Sequence, residues 1–87
     1  MGDDRLSPAS DVVYRELEDS LVLVHLGTNR IYTLNSTGAR VWHLLQNGSS
    51  RREIREQLLR EFDVGAEDLD EELDRLLHAF LADGLVS

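Results

Sequence analysis

Three short runs with strand character stand within residues 12–35, and no fourth candidate follows them. The third run, Asn29-Arg30-Ile31-Tyr32-Thr33-Leu34-Asn35, carries Ile, Tyr and Thr, which favour a pleated, half-buried surface, after the turn residues Gly27-Thr28-Asn29. The first reads as Val12-Val13-Tyr14-Arg15-Glu16-Leu17 and the second as Leu21-Val22-Leu23-Val24-His25-Leu26, with Glu18-Asp19-Ser20 turning between them. Paired in chain order, they form an antiparallel meander whose third strand lies at an edge with a row of N–H and C=O groups unpaired. Proteins usually blunt such an edge, because it invites another strand to pair with it. Here it is expected to be the working surface. Arg30, Tyr32 and Leu34 share one face of that strand, and Ile31 and Thr33 the other. The pattern leaves open which set directs its N–H groups outward. The second strand is apolar on both faces, as expected of a central strand covered more thoroughly than its neighbours, with His25 partly buried beside Leu21 and Leu23.

The rest of the chain reads as helix, so the class is α+β. Asn35 offers a side-chain oxygen to the first free N–H groups of a helix over 36–46, which Asn47-Gly48 ends. Ser50-Arg51-Arg52-Glu53 is a capping-box pattern opening a second helix, with Ile54, Leu58 and Phe62 in one stripe. After the break at Asp63-Val64-Gly65, a third helix over 66–83 carries Leu69, Leu73, Leu76, Leu77, Phe80 and Leu81 on a face wider than core packing alone requires. Asp70 and Asp74 border that stripe beside Leu77 and Leu81, and Glu72 borders it beside Leu76. The surplus width suits a groove for a peptide's apolar side chains. Residues 1–10, with the only proline, are expected to be a loose arm before a single domain over 11–87.

Charge narrows the range of functions. Seventeen acidic residues stand against nine arginines and no lysine, a net charge of −8. That balance opposes nucleic acid and anionic lipid and favours a basic partner. Arg51, Arg52, Arg55 and Arg60 do lie on the second helix, the rival sign of a winged-helix DNA-binding regulator. Their interleaving with Glu53, Glu56 and Glu61 predicts ion pairs within the helix instead. Without cysteine there is no disulfide framework or thiol nucleophile. His25, His43 and His78 lack metal-ligand spacing, and neither a phosphate loop nor a nucleophile elbow is present. Binding without catalysis, cofactor or metal is the expectation. The longest apolar run falls far short of a membrane span, and no signal segment opens the sequence. A cytoplasmic, soluble protein is therefore expected.

The pattern Tyr32-x-Leu34-Asn35-x-Thr37-Gly38-Ala39-x-Val41-Trp42-x-Leu44-Leu45-x-x-Gly48, continued by Phe62-Asp63-Val64 and Leu76-Leu77-x-x-Phe80-x-x-x-Gly84-Leu85, resembles the PqqD-like family across residues 12–86. That resemblance implies a winged helix-turn-helix-like precursor-peptide recognition element, which holds the leader of a ribosomally made peptide and presents it to modifying enzymes. Leu26-Gly27-Thr28-Asn29-Arg30-Ile31-Tyr32 is more like the stand-alone proteins of lasso-peptide clusters, which work beside a separate cysteine-protease leader peptidase and a cyclase. The runner-up is the pyrroloquinoline-quinone pathway, where the partner is a radical SAM enzyme. The Pro-Glu-Gly turn associated with that member is missing here. The resemblance places the peptide on the third strand (Arg30, Ile31, Tyr32, Thr33, Leu34) and the last helix (Leu69, Leu73, Leu76 and their neighbours Asp70, Asp74 and Leu77). Glu72 stands at the family's customary Asp. A leader with a Tyr-x-x-Pro motif is the implied ligand.

Overall fold

The computed structural model describes residues 6–87. Strands β1 (Val12–Glu16), β2 (Leu21–His25) and β3 (Arg30–Leu34) are followed by helices α1 (Ser36–Gln46), α2 (Arg51–Glu61) and α3 (Ala66–Ala82). The sheet is antiparallel in the order β1-β2-β3. The first two strands end one residue earlier than their side-chain pattern suggests. Leu17 donates to the Ser20 carbonyl to close the turn, and Leu26 donates back to Asp11.

The helices start where their local chemistry directs. Asn35 Oδ1 accepts from the Gly38 N–H at 2.9 Å. At α2 the Ser50 hydroxyl accepts from Glu53 N–H, and the Glu53 carboxylate accepts from Ser50 N–H, satisfying two otherwise orphaned donors. A Cβ at Gly38 would lie 3.2 Å from that of Leu34, closer than ordinary van der Waals contact. This close approach lets α1 turn back onto the strand it follows.

One face of β2 anchors the core. Leu21 and Leu23 are fully buried with Val41, Trp42, Ile54, Leu58, Leu73 and Leu85. Trp42 of α1 meets Phe80 of α3 edge to face, with ring centroids 5.7 Å apart, a favoured aromatic geometry. The other face of β2 is not sealed as expected of a central strand. Val22 and Val24 are half-buried, and Val13 and Ile31, which flank Val24 in register, are 48% and 69% exposed. All three helices follow the sheet in sequence, and the core residues they supply converge on the Leu21–Leu23 face.

Residues 1–5 of the expected arm lie outside the described residues, and residues 7–9 pair with the C-terminal segment. Ser7 and Ser87 exchange two backbone hydrogen bonds, Ala9 donates to the Leu85 carbonyl, and Pro8 bridges to Val86. Leu85 and Val86 are thereby held in the core.

Helices α1 and α2 are clamped at the surface by Arg40, whose Nε and Nη2 donate to the two Glu61 oxygens at 2.8 and 2.6 Å. That bidentate pair, with a further hydrogen bond from Gln57, lowers the Glu61 pKa from 4.5 to about 2. A carboxylate with a depressed folded-state pKa stabilises the fold above its unfolded value, and that stability disappears as the pH falls through the folded value. Glu61→Gln should therefore lower stability at neutral pH and flatten its pH dependence between 4.5 and about 2. Urea unfolding across that window checks this; an unchanged slope would mean the clamp contributes nothing.

Candidate functional site

The alternation of backbone groups left open by the sequence follows from the hydrogen bonds at the ends of the β1–β2 pair. Leu26 N–H donates to Asp11 and Leu17 N–H to Ser20, so positions 20, 22, 24 and 26 direct their backbone groups towards β1. Leu21, Leu23 and His25 therefore direct theirs towards β3 and bond with Leu34, Tyr32 and Arg30. Ile31 and Thr33 are left with N–H and C=O groups pointing away from the sheet. Their side chains lie on its open face, whereas Tyr32 and Leu34 lean, half-buried, towards the core. The outer edge of β1 faces outward too, with Val12 N–H donating to Ala9. At its end β1 meets a pocket formed with α1 at Ala39, Arg40 and His43, whereas β3 leads into one walled by α3.

That pocket, of about 220 Å³, lies where β3 passes into α1. Asn35 and Thr37 form one wall, Phe62 and Val64 of the α2–α3 connection another, and Asp68, Leu69 and Glu72 of α3 a third. The apolar surface comes from Phe62, Val64 and Leu69, while Asp68 and Glu72, one turn apart, set a negative rim. Glu72 also meets Arg75 at 3.4 Å on the exposed face.

The twelve residues expected at a peptide site divide between different surroundings. Arg30 through Leu34 form the edge strand, and Leu69 and Glu72 line the adjoining pocket. Leu76, half-buried, continues the same border of α3 one turn on from Glu72. Leu73 is 1% exposed and is sealed in the core instead of bordering a groove. Leu77, Asp70 and Asp74 belong to the opposite border of α3, facing α2. Asp70 accepts from Arg55 Nε at 2.6 Å, and Asp74 pairs with Arg51. Asp70 and Asp74, expected to rim a groove, are thus engaged by α2, and the ion pairs expected within α2 reach across to α3 instead. Two carboxylates four residues apart meet two arginines four residues apart on an antiparallel neighbour. Asp70 sits close enough to hold the Arg55 guanidinium above its ordinary pKa.

Asn35, Thr37, Phe62, Val64 and Asp68 were not among the expected site residues. Phe62 carried a signal, standing just before a chain break where its stripe has no further helix to pack on. A second cavity, of about 290 Å³, lies on the α2 side, lined by Leu45, Ile54, Leu77 and Leu81 with the Arg51–Asp74 pair at its rim. Among the described residues, no group of three or more His, Asp or Glu is arranged to hold a metal, and no helix is long and apolar enough to cross a membrane.

Comparison with known proteins bears on this arrangement. The family model described as coenzyme PQQ synthesis protein D (PqqD) matches residues 20–86. Among solved structures, the chain is similar to TbiB1 in complex with the TbiA(beta) leader peptide, with a TM-score of 0.87 and 28% identity over 93% of this chain and 94% of that one. It is also similar to a lasso peptide synthetase B1 complexed with its leader peptide, with a TM-score of 0.86 and 18% identity over 97% and 99% of the two chains. At that identity the second likeness shows the fold alone. No curated protein matches the chain.

The alternation along β3 is testable without any ligand. Proline removes an N–H and is tolerated in a sheet only where that group faces outward. Tyr32→Pro removes an inward donor and should cost about 1–3 kcal/mol of stability beyond Tyr32→Ala, from the acceptor left unpaired. Ile31→Pro and Thr33→Pro should unfold close to their alanine controls. Thermal melts of the six variants check this, and a stable Tyr32→Pro would reverse the assigned parity.

Proposed function

The chain belongs to the PqqD family, and on that premise we propose that it binds the leader of a ribosomally synthesised precursor peptide and presents it to separate processing enzymes. The observation that carries the reading is the open edge of β3, which leads straight into the pocket at Leu69, in a chain 28% identical to one bound to a leader peptide. The leader adds as a fourth strand beside β3, pairing with the outward groups of Ile31 and Thr33. Each such hydrogen bond contributes about 0.5–1.5 kcal/mol net. Alternate leader side chains pass over Tyr32 and Leu34 or enter the pocket floored by Leu69 and Phe62, and these contacts select the sequence. An apolar or aromatic side chain fits that floor, as the Tyr of a Tyr-x-x-Pro motif would. Ordering a disordered leader costs about 2–5 kcal/mol, which leaves micromolar to nanomolar affinity within reach.

The protein's role is non-catalytic. A lasso-peptide pathway, with a cysteine-protease leader peptidase and a cyclase as partners, is supported by residues 26–32, which resemble the stand-alone proteins of lasso-peptide clusters. The family model's own description favours the second reading, a pyrroloquinoline-quinone precursor handed to a radical SAM enzyme. DNA binding is disfavoured: Arg51, Arg55 and Arg40, the cations a phosphate backbone needs, are engaged by Asp74, Asp70 and Glu61.

Titration of the protein with a fluorescent leader peptide carrying a Tyr-x-x-Pro motif tests the proposal, with a low-salt gel shift on duplex DNA as the contrary arm. Ile31→Pro and Thr33→Pro should remain folded and lose leader affinity relative to Ile31→Ala and Thr33→Ala. Equal affinities would rule out strand addition at β3. A duplex shift without leader binding would replace the reading altogether.

Charge at the pocket makes a separate prediction, since rim charges govern encounter more than residence. Asp68→Asn with Glu72→Gln should slow association with a leader bearing basic residues and weaken its salt dependence. Asp70→Asn with Asp74→Asn, whose carboxylates are committed to α2, should change association much less. Stopped-flow rates at two salt concentrations compare them; indistinguishable pairs would mean that only net charge matters.

A further inference from the structure

Resting on leader addition to β3, we infer that His25 is a positioning residue for the peptide edge, acting through the turn that begins that strand. His25 ends β2, pairs with Val12 on one side and Arg30 on the other, and is 8% exposed. Its Nδ1 accepts from the N–H groups of Gly27 at 3.1 Å and Thr28 at 3.3 Å. Its carbonyl accepts from Asn29 N–H at 2.7 Å, while Leu26 N–H goes to Asp11. Of the four N–H groups in the turn, three therefore end on atoms of this one residue. Asn29 completes the turn at a φ of 62°, a left-handed conformation that Asn adopts more readily than most residues.

The surroundings leave the ring little freedom. A Cβ at Gly27 would lie 2.7 Å from Asp11 Oδ2 and 3.0 Å from the His25 Cε1, and one at Gly84 would lie 3.4 Å from Nε2. The imidazole thus sits between the start of β1, the β2–β3 turn and the cap of α3. An acceptor fixed there sets where β3 starts, and so where the outward groups of Ile31 and Thr33 lie relative to the pocket. A carboxylate donates nothing, so Asp11 Oδ2, 3.8 Å from Nδ1, does not occupy the lone pair to which the turn N–H groups donate.

Two substitutions separate the acceptor from the ring's bulk. His25→Phe keeps a ring and loses the acceptor. His25→Asn loses bulk but places Oδ1 where an Asx turn accepts from N–H groups two residues on. His25→Phe should remain folded yet bind the labelled leader about tenfold more weakly, a shift of one decade in Kd. His25→Asn should be less stable but bind within about threefold of the parent, since an acceptor is restored. Affinity that follows stability, with His25→Phe binding normally and His25→Asn weakly, would reduce His25 to a core residue. Amide exchange in the ligand-free protein reads the same claim independently of any leader: protection at Thr28 and Arg30 should fall in His25→Phe and persist in His25→Asn. If the parent binds no leader, the functional reading fails, while equal protection in the two variants would overturn the positioning role.

Discussion

Burial of a single face of β2 is the constraint on which the remaining geometry depends. Leu21 and Leu23 are fully covered, and β2 is hydrogen-bonded on both sides. With period two, a slip of one residue would expose both leucines and bury Val22 and Val24 instead. Register is therefore strongly specified, and the parity of β3 is specified with it. The same constraint that buries Leu23 turns the Tyr32 backbone inward and the backbones of Ile31 and Thr33 outward. Core packing and the availability of the edge are two consequences of one choice of register.

Helix α3 serves three environments at once. Leu73 and Phe80 point to the centre of the core. Leu77, Asp70 and Asp74 complete the contact with α2, while Leu69, Glu72 and Leu76 form the border nearer β3. The breadth of its apolar stripe comes from these separate demands, since a helix facing a sheet on one side and another helix on the next needs more apolar arc than one packed once. Division of charge accompanies it. The carboxylates next to α2 are neutralised locally by Arg51 and Arg55, so the pocket's own field comes from Asp68 and Glu72.

A domain this small buries a modest fraction of its chain surface, about 60–65% on size scaling, and has no disulfide to compensate. Pairing of Ser7–Ala9 with Leu85–Ser87 closes the structure with a short two-stranded clasp. It holds Leu85 beneath the sheet, beside the Gly84 cap that abuts His25. Residues 7–9 are thus connected, through Leu85 and Gly84, to the His25 ring beneath the turn that starts β3.

Local chemistry was enough to read the elements from sequence. Side-chain caps at Asn35 and Ser50 act within three residues, and strand and helix periods are written directly in the apolar pattern, so strand order and helix starts were legible. The wider family pattern, anchored on Tyr32-x-Leu34-Asn35 and Gly38, pointed to the edge strand and α3. What the sequence could not resolve were choices between equivalent faces. Leu73 and Leu76 look alike on a helical wheel, and only the position of α2 decides that one is core and the other border. Asp70 and Asp74 flank the stripe as plausibly as Asp68 and Glu72 until Arg51 and Arg55 come across from α2. The clasp of residues 7–9 has no apolar period to announce it, because its partner lies at the other end of the chain. Backbone direction on β3 depends on which neighbour each residue of β2 faces, a relation that exists only once the three strands are paired.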